Sequence, residues 1–167
     1  MSRIVRLALI PLCLTVIGSA FWTVQIVKVT LPKENDRLIA AVHVTTNDII
    51  SLIYTHSVEH TKVEGRFKVG PESEIIAIET RMESVGTGLP NAFPERTHTK
   101  DGWLVVDEGQ RPVGPIRFFM VPLNKSRLTI ADRLINTDSL KTGTLIQVSA
   151  ERLFLISWVW KAATGFG

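Results

Sequence analysis

Cysteine is almost absent from this chain, with one residue among 167. That residue, Cys13, lies in an apolar segment near the N-terminus, so the rest of the chain has no thiol. A domain without thiols has no disulfide bond, no thiolate metal ligand and no cysteine nucleophile.

The chain also carries little net charge. The formal net charge is +3, and Arg3 and Arg6 account for two of those three charges. The other lysines and arginines alternate with Asp and Glu along the chain and do not form the basic cluster that nucleic-acid binding requires. The composition therefore argues against a nucleic-acid partner.

The N-terminus has the pattern of an export signal, because Arg3 and Arg6 precede a charge-free run from Leu7 to Trp22. Gly18-Ser19-Ala20 offers a cleavage site, whereas Ile4 to Val27 is long enough to span roughly 30 Å of hydrocarbon as a helix. Residues 1–22 are thus predicted to be a signal peptide or a membrane anchor. The positive-inside rule places the remainder in the periplasm or at the extracytoplasmic face of the inner membrane, secreted or N-terminally anchored.

From Trp22 onward, short β-branched runs alternate with turn residues, as in antiparallel β proteins. The gaps between these runs are too short for crossover helices. We predict an all-β domain over residues 23–152, an antiparallel β-sandwich or partly open barrel of about eight short strands, preceded by the leader or anchor helix. The predicted strands are Thr23 to Leu31, Leu38 to Val44, Ile49 to His56, Lys62 to Val69, Glu74 to Glu83, Pro115 to Val121, Arg127 to Ile130 and Thr144 to Ala150.

Two regions depart from this pattern. Residues 86–115 are rich in proline and glycine around the apolar run Trp103 to Val106, which predicts a functional loop or a small hairpin. Residues 153–167 form an apolar C-terminal tail that is too short to cross a bilayer. This tail is either a last core element or, through Trp158 and Trp160, a surface for a membrane interface or a partner.

Residues with catalytic or metal-binding potential concentrate around His56. In a strand, His56 and Ser57 would point to opposite faces, which disfavours a nucleophile and base pair. His56 and His60 would be about 13 Å apart at roughly 3.3 Å per residue, too far for one metal ion. We therefore predict no catalytic residue, metal ion or cofactor, although Glu59, Glu64 or Glu83 would complete a metal site if they converged on His56.

Two segments together resemble a known family. The first is Tyr54-Thr55-His56-Ser57-Val58-Glu59, with Val63-Glu64 downstream. The second is Glu79-Thr80-Arg81-Met82-Glu83-Ser84-Val85-Gly86-Thr87-Gly88-Leu89-Pro90. The pair is similar to the bacterial and archaeal family described as domain of unknown function 1850, over roughly Val24 to Ala150. The resemblance implies a small exported or membrane-attached β-domain whose genes commonly lie beside those of TRAP transporters of the TAXI subclass.

From the resemblance we expect an extracytoplasmic accessory protein of a TAXI-type TRAP solute transporter, which docks on the membrane subunit or on the solute-binding protein. The alternative is an independent exported module that binds a small ligand or a metal. In both interpretations the two segments must be adjacent in space. The predicted site residues are Tyr54, His56, Ser57, Glu59, Glu83, Gly86, Gly88, Leu89 and Pro90.

Overall fold

A computed structural model describes residues 22–84 and 94–164, in which antiparallel strands dominate and one short α-helix follows the last strand. The helix is α1 (Leu155–Thr164), and single 3₁₀ turns occur at Pro32–Glu34, Pro94–Arg96 and Pro122–Asn124. The strands are β1 (Thr23–Leu31), β2 (Arg37–Val44), β3 (Ile49–Thr55), β4 (Lys62–Val69), β5 (Ile75–Met82), β6 (Thr97–Lys100), β7 (Trp103–Pro112), β8 (Ile116–Phe119), β9 (Arg127–Ile130), β10 (Arg133–Ile135) and β11 (Leu145–Phe154).

The strands form two sheets that pack as a β-sandwich. The small sheet has the order β2-β1-β11-β8, and the large sheet has the order β10-β9-β3-β4-β5-β7-β6. Neighbouring strands in both sheets run antiparallel to each other. Short turns join β3 to β4, β4 to β5 and β6 to β7, as antiparallel pairing permits.

The main core lies between the two sheets. β1 and β11 contribute Val29 and Ile146 from the small sheet, while β3 and β9 contribute Ile50 and Leu128 from the large sheet. β9 buries Leu128 and Ile130, and β11 buries Ile146 and Val148, because successive side chains point to opposite faces. The apolar alternation of the sequence therefore determines which face of each strand meets the other sheet.

The predicted all-β architecture is confirmed, and the described residues contain eleven strands where about eight were predicted. The additional strands are β6, β7 and β10. β6 and β7 form a hairpin inside the proline- and glycine-rich region, at the edge of the large sheet. The described part of that region thus contains the small hairpin that was one of its two predicted forms.

The first strand of the domain lies where it was predicted. Thr23–Leu31 forms β1 and pairs with both β2 and β11. The apolar residues beyond Trp22 thus belong to the folded domain. No helix within the described residues combines the length and the apolarity needed to cross a membrane.

Candidate functional site

The two family motifs approach each other at one end of the large sheet. β3 ends at Thr55, and the chain turns through residues 56–61 before β4 begins at Lys62. β5 ends beside this point, where the backbone amide of Glu83 donates a hydrogen bond of 3.1 Å to the carbonyl oxygen of Lys62. We call the turn 56–61, together with residues 82–84 at the end of β5, the hairpin end.

Hydrogen bonds fix the shape of the turn. The amide of His56 donates to the carbonyl oxygen of Thr61 at 2.8 Å, and the amide of His60 donates to the carbonyl oxygen of His56 at 2.9 Å. His60 has a φ of 53°, in the left-handed region, which lets the chain reverse. The strand predicted to end at His56 therefore stops one residue earlier. The extended separation of 13 Å predicted between His56 and His60 is wrong because the chain turns between them.

The His56 imidazole is a structural part of this turn. Its Nδ1 accepts a hydrogen bond of 3.3 Å from the backbone amide of Glu59. An accepting Nδ1 assigns the neutral tautomer that carries hydrogen on Nε2, so the ring offers one donor to a partner. Glu59 itself is half-buried in the same turn.

Ser57 lies exposed in the turn and outside any strand. The prediction that Ser57 and His56 face opposite sides of a strand therefore does not apply to this geometry. Within the described part of the chain, no hydrogen bond joins Ser57 to a histidine side chain.

Tyr54 anchors the hairpin end from the inner face of the large sheet. It is half-buried and packs against a satellite cluster formed by Val63, Met82 and Val106, separate from the main core. Strand register explains the cluster, since Tyr54 lies opposite Val63 and Val63 lies opposite Met82. Tyr54 is therefore mainly a packing residue that supports the turn.

Glu83 is tied to Lys62 by three contacts. Besides the backbone hydrogen bond, Glu83 Oε2 accepts from the Lys62 amide at 2.9 Å, and Glu83 Oε1 lies 3.1 Å from Lys62 Nζ. The hydrogen bond from the Lys62 backbone, followed by that from its ammonium group, holds the pKa of Glu83 below its usual value. This pair fastens the end of β5, and with it Glu83 of the second motif, to the start of β4, three residues after the first motif.

A compensated charge network lies on the outer face of β4 and β5, next to the hairpin end. Glu79 Oε1 accepts from Arg66 Nη1 at 2.5 Å and from Arg81 Nε at 2.9 Å. Glu64 Oε1 accepts from the Ser51 hydroxyl at 2.7 Å and lies 3.7 Å from Arg66 Nε. Burial raises the pKa of Glu79, but hydrogen bonds from Arg66 and Arg81 outweigh this effect and leave that pKa below its usual value.

Neither this network nor a role for the tip of the turn was predicted from the sequence. Alternation of charged and apolar residues from Lys62 to Val69 was the available signal for a charged outer face. At the tip, Val58 has 68% of its surface exposed between polar neighbours. An exposed aliphatic side chain on a fixed turn is a suitable contact for a protein partner.

Four predicted site residues, Gly86, Gly88, Leu89 and Pro90, lie outside the described residues. Their segment begins two residues after Ser84, the last described residue at the hairpin end. Within residues 22–84 and 94–164, no cluster of three or more His, Cys, Asp or Glu side chains is arranged to hold a metal ion.

Fold and site together define an antiparallel β-sandwich with a hydrogen-bonded, partly apolar turn at one end of its larger sheet. A family model described as Domain of unknown function (DUF1850) matches residues 50–136, more than half of the chain, so the chain belongs to this family. The matched segment contains nearly all of the large sheet and includes the hairpin end. Neither the curated proteins nor the solved structures include a match.

Proposed function

We propose that this protein is an extracytoplasmic accessory protein of a TAXI-type TRAP solute transporter and that it acts by docking through its hairpin end. The family supports this assignment through the transporter association that the resemblance implies. The observation that carries the docking role is the exposed Val58 at the tip of a hydrogen-bonded turn. The proposed partner is the transporter's membrane subunit or its solute-binding protein.

Rigidity of the turn favours binding. Backbone bonds at His56 and His60 and the Lys62–Glu83 contacts already hold the surface in one conformation. A preorganised surface loses less conformational entropy when a partner binds. Affinity is then gained from burial of Val58 and from directed hydrogen bonds.

The chemistry of the hairpin end suits a mixed apolar and polar interface. Val58 supplies the apolar contact, Ser57 supplies a hydroxyl group, and His56 offers an Nε2 donor. Interfaces of docking proteins commonly surround a few desolvated apolar contacts with polar ones. We infer that Val58 is the side chain whose loss weakens docking most.

The independent binding module is a second candidate, favoured by a cavity of about 530 Å³ beside β10. Lys125 and Arg127 line this cavity together with the apolar side chains of Met120 and Ile135. Such a lining suits a small carboxylate with an apolar body. Tyr54 and Glu83, which were expected to line the ligand site, are not among the residues that line this cavity. Calorimetric titration with carboxylates and divalent cations tests this candidate, and saturable heat would favour it over docking.

Affinity purification from the native host tests the docking proposal. The full chain is solubilised in detergent with a tag inserted at the exposed turn Lys141–Gly143, and mass spectrometry identifies retained proteins. We expect a TRAP membrane subunit or solute-binding protein to be recovered. Val58→Glu should reduce that recovery at least tenfold, because it places a charge in the proposed contact.

Leu123→Glu is the matched control, since Leu123 is 69% exposed and lies in the 3₁₀ turn before β9. It introduces the same charge at the same exposure and should leave recovery unchanged. Thermal unfolding of both variants checks that the fold is intact. Equal recovery with Val58→Glu and wild type, or absence of any TRAP subunit, would refute docking through the hairpin end.

A further inference from the structure

Helix α1 exposes an apolar face. Ile156, Val159, Trp160 and Ala163 are all exposed, and their spacing of three, four and seven residues places them on one side of the helix. Leu155 is half-buried. A helix that packs on a domain normally turns its apolar stripe towards the core. The exposed stripe of α1 is therefore available to contact a surface outside this domain.

Other exposed apolar side chains surround this face. Trp22 is 72% exposed, and its carbonyl oxygen accepts a hydrogen bond of 2.7 Å from the amide of Leu155. Phe154, which is also exposed, pairs with Thr23 across β11 and β1. We call Trp22, Phe154 and α1 the Trp end. Of the nine exposed large apolar residues in the described part of the chain, five belong to it: Trp22, Phe154, Ile156, Val159 and Trp160.

The sequence that precedes the Trp end indicates what covers it. The charge-free run from Leu7 enters the described structure at Trp22, after the positive residues Arg3 and Arg6. A segment of that composition directs the chain to a membrane. If the leader stays in the membrane, Trp22 and the adjoining α1 are brought to the bilayer surface.

We propose that the Trp end rests on the bilayer surface, with the exposed stripe of α1 in the interfacial region. Tryptophan prefers this region because indole combines an apolar body with a polar N–H group. An amphipathic helix lies parallel to the surface when its apolar stripe is buried at the boundary between head groups and acyl chains. This proposal does not depend on the transporter assignment.

Fluorescence quenching by brominated lipids tests the position of α1. The full chain is reconstituted into vesicles of phosphatidylcholine and phosphatidylglycerol as a variant that keeps Trp160 and replaces Trp22, Trp103 and Trp158 by Phe. The reference variant keeps Trp103, which begins β7 at the opposite end of the large sheet, and replaces the other three. We expect brominated lipid to quench Trp160 at least twofold more than Trp103.

A charge on the exposed stripe provides the second measurement. In the Trp160 variant, Val159→Glu should abolish the additional quenching, because a carboxylate disfavours insertion of the stripe. Leu123→Glu, at an equally exposed site elsewhere, should leave the quenching unchanged. Circular dichroism confirms that both variants keep the β fold.

Two outcomes overturn the proposal. Equal quenching of Trp160 and Trp103 would mean that the leader tethers a domain whose Trp end does not touch lipid. A Trp160 emission that is blue-shifted, unquenched and dependent on the protein-to-lipid ratio would assign the stripe to a second copy of the chain. The vesicles contain no transporter, so failure here is distinguishable from failure of the docking proposal.

Discussion

Removal of the negative charge of Glu79 should destabilise the domain more than removal of an exposed carboxylate does. Glu79 Oε1 contacts both Arg66 and Arg81, and the Glu79 side chain is 19% exposed. Glu79→Gln keeps the shape and one acceptor but leaves two arginines against the single carboxylate of Glu64. Loss of one partner from a fully buried ion pair costs about 3–5 kcal/mol. Partial solvent screening of this face reduces the expected cost to about 2 kcal/mol.

The assay is thermal unfolding of the full chain in one detergent, followed by circular dichroism. For a chain of this size, a loss of 2 kcal/mol corresponds to a decrease in melting temperature of about 4–8 °C. Glu34→Gln is the matched control, because Glu34 pairs with Arg37 at an exposed site. An exposed pair contributes at most about 1 kcal/mol, so the control should shift the melting temperature by no more than about 2–4 °C.

The pH dependence supplies an independent check. The pKa of Glu79 is lower in the folded state than the usual 4.5, so the folded state stabilises the ionised form. Its contribution is fully present above the unfolded pKa and is lost as the pH falls through the lower folded value. The difference between wild type and Glu79→Gln should therefore be constant near neutral pH and shrink in acid. Equal shifts in melting temperature for Glu79→Gln and Glu34→Gln would refute the reasoning. So would a stability difference between wild type and Glu79→Gln that stays the same in acid.

Three further predictions concern the two cores and the hairpin end. Ile146→Ala opens a cavity in the main core and should cost about 3 kcal/mol in the same thermal assay, whereas a cost below about 1 kcal/mol would contradict the packing described. Met82→Ala should lower the free energy of unfolding by about 2 kcal/mol and accelerate hydrogen exchange at the amides of Lys62 and Glu83. Unchanged exchange at these amides would show that the satellite cluster does not support the hairpin end. Glu83→Gln should leave the melting temperature nearly unchanged, because the site is exposed, but it should speed hydrogen exchange of the Lys62 amide. Full protection of that amide in the variant would argue against its hydrogen bond to Glu83 Oε2.

Much of the sandwich was predictable because its central strands alternate apolar and polar residues between clear turn signals. β1, β4 and β9 begin and end where they were predicted. In β4, Val63, Phe67 and Val69 alternate with charged residues, so the period of two is unambiguous. Such strands bury one face, and the sequence pattern reflects that burial directly.

β6 and β7 were missed because few side chains in β6 and in the second half of β7 are buried; β6 is an edge strand, and β7 lies between it and β5. β6 has the sequence Thr-His-Thr-Lys and is mostly exposed, so no apolar alternation marks it. β7 contains Gly109 and Pro112, which usually indicate a turn, and its register with β5 shifts between Ala77 and Glu79. An irregularity of this kind allows a strand to include residues that a regular ladder excludes.

The site was predictable in composition but not in geometry. High β-propensity through His56 obscured the start of the turn, which depends on the left-handed conformation of His60. Contact between Lys62 and Glu83 depends on the register of β4 and β5, which a motif does not specify. α1 was ambiguous for a different reason, because the run Leu153 to Trp160 is almost wholly apolar and fits a buried strand as well as a helix.

The positions of the two proposed surfaces constrain the choice of partner. Gln25 Nε2 donates to the carbonyl oxygen of Gly70 at 2.8 Å, so the turn after β4 lies beside the start of β1 and towards the Trp end. The hairpin end lies at the other end of β4, about 23 Å away for seven residues at 3.3 Å each. With the Trp end on lipid, Val58 is held away from the bilayer surface. The two proposals together therefore favour the solute-binding protein over the membrane subunit as the partner of the hairpin end. A photocrosslinking residue at position 58 should capture the solute-binding protein. Capture of the membrane subunit alone would show that one of the two surfaces is misassigned.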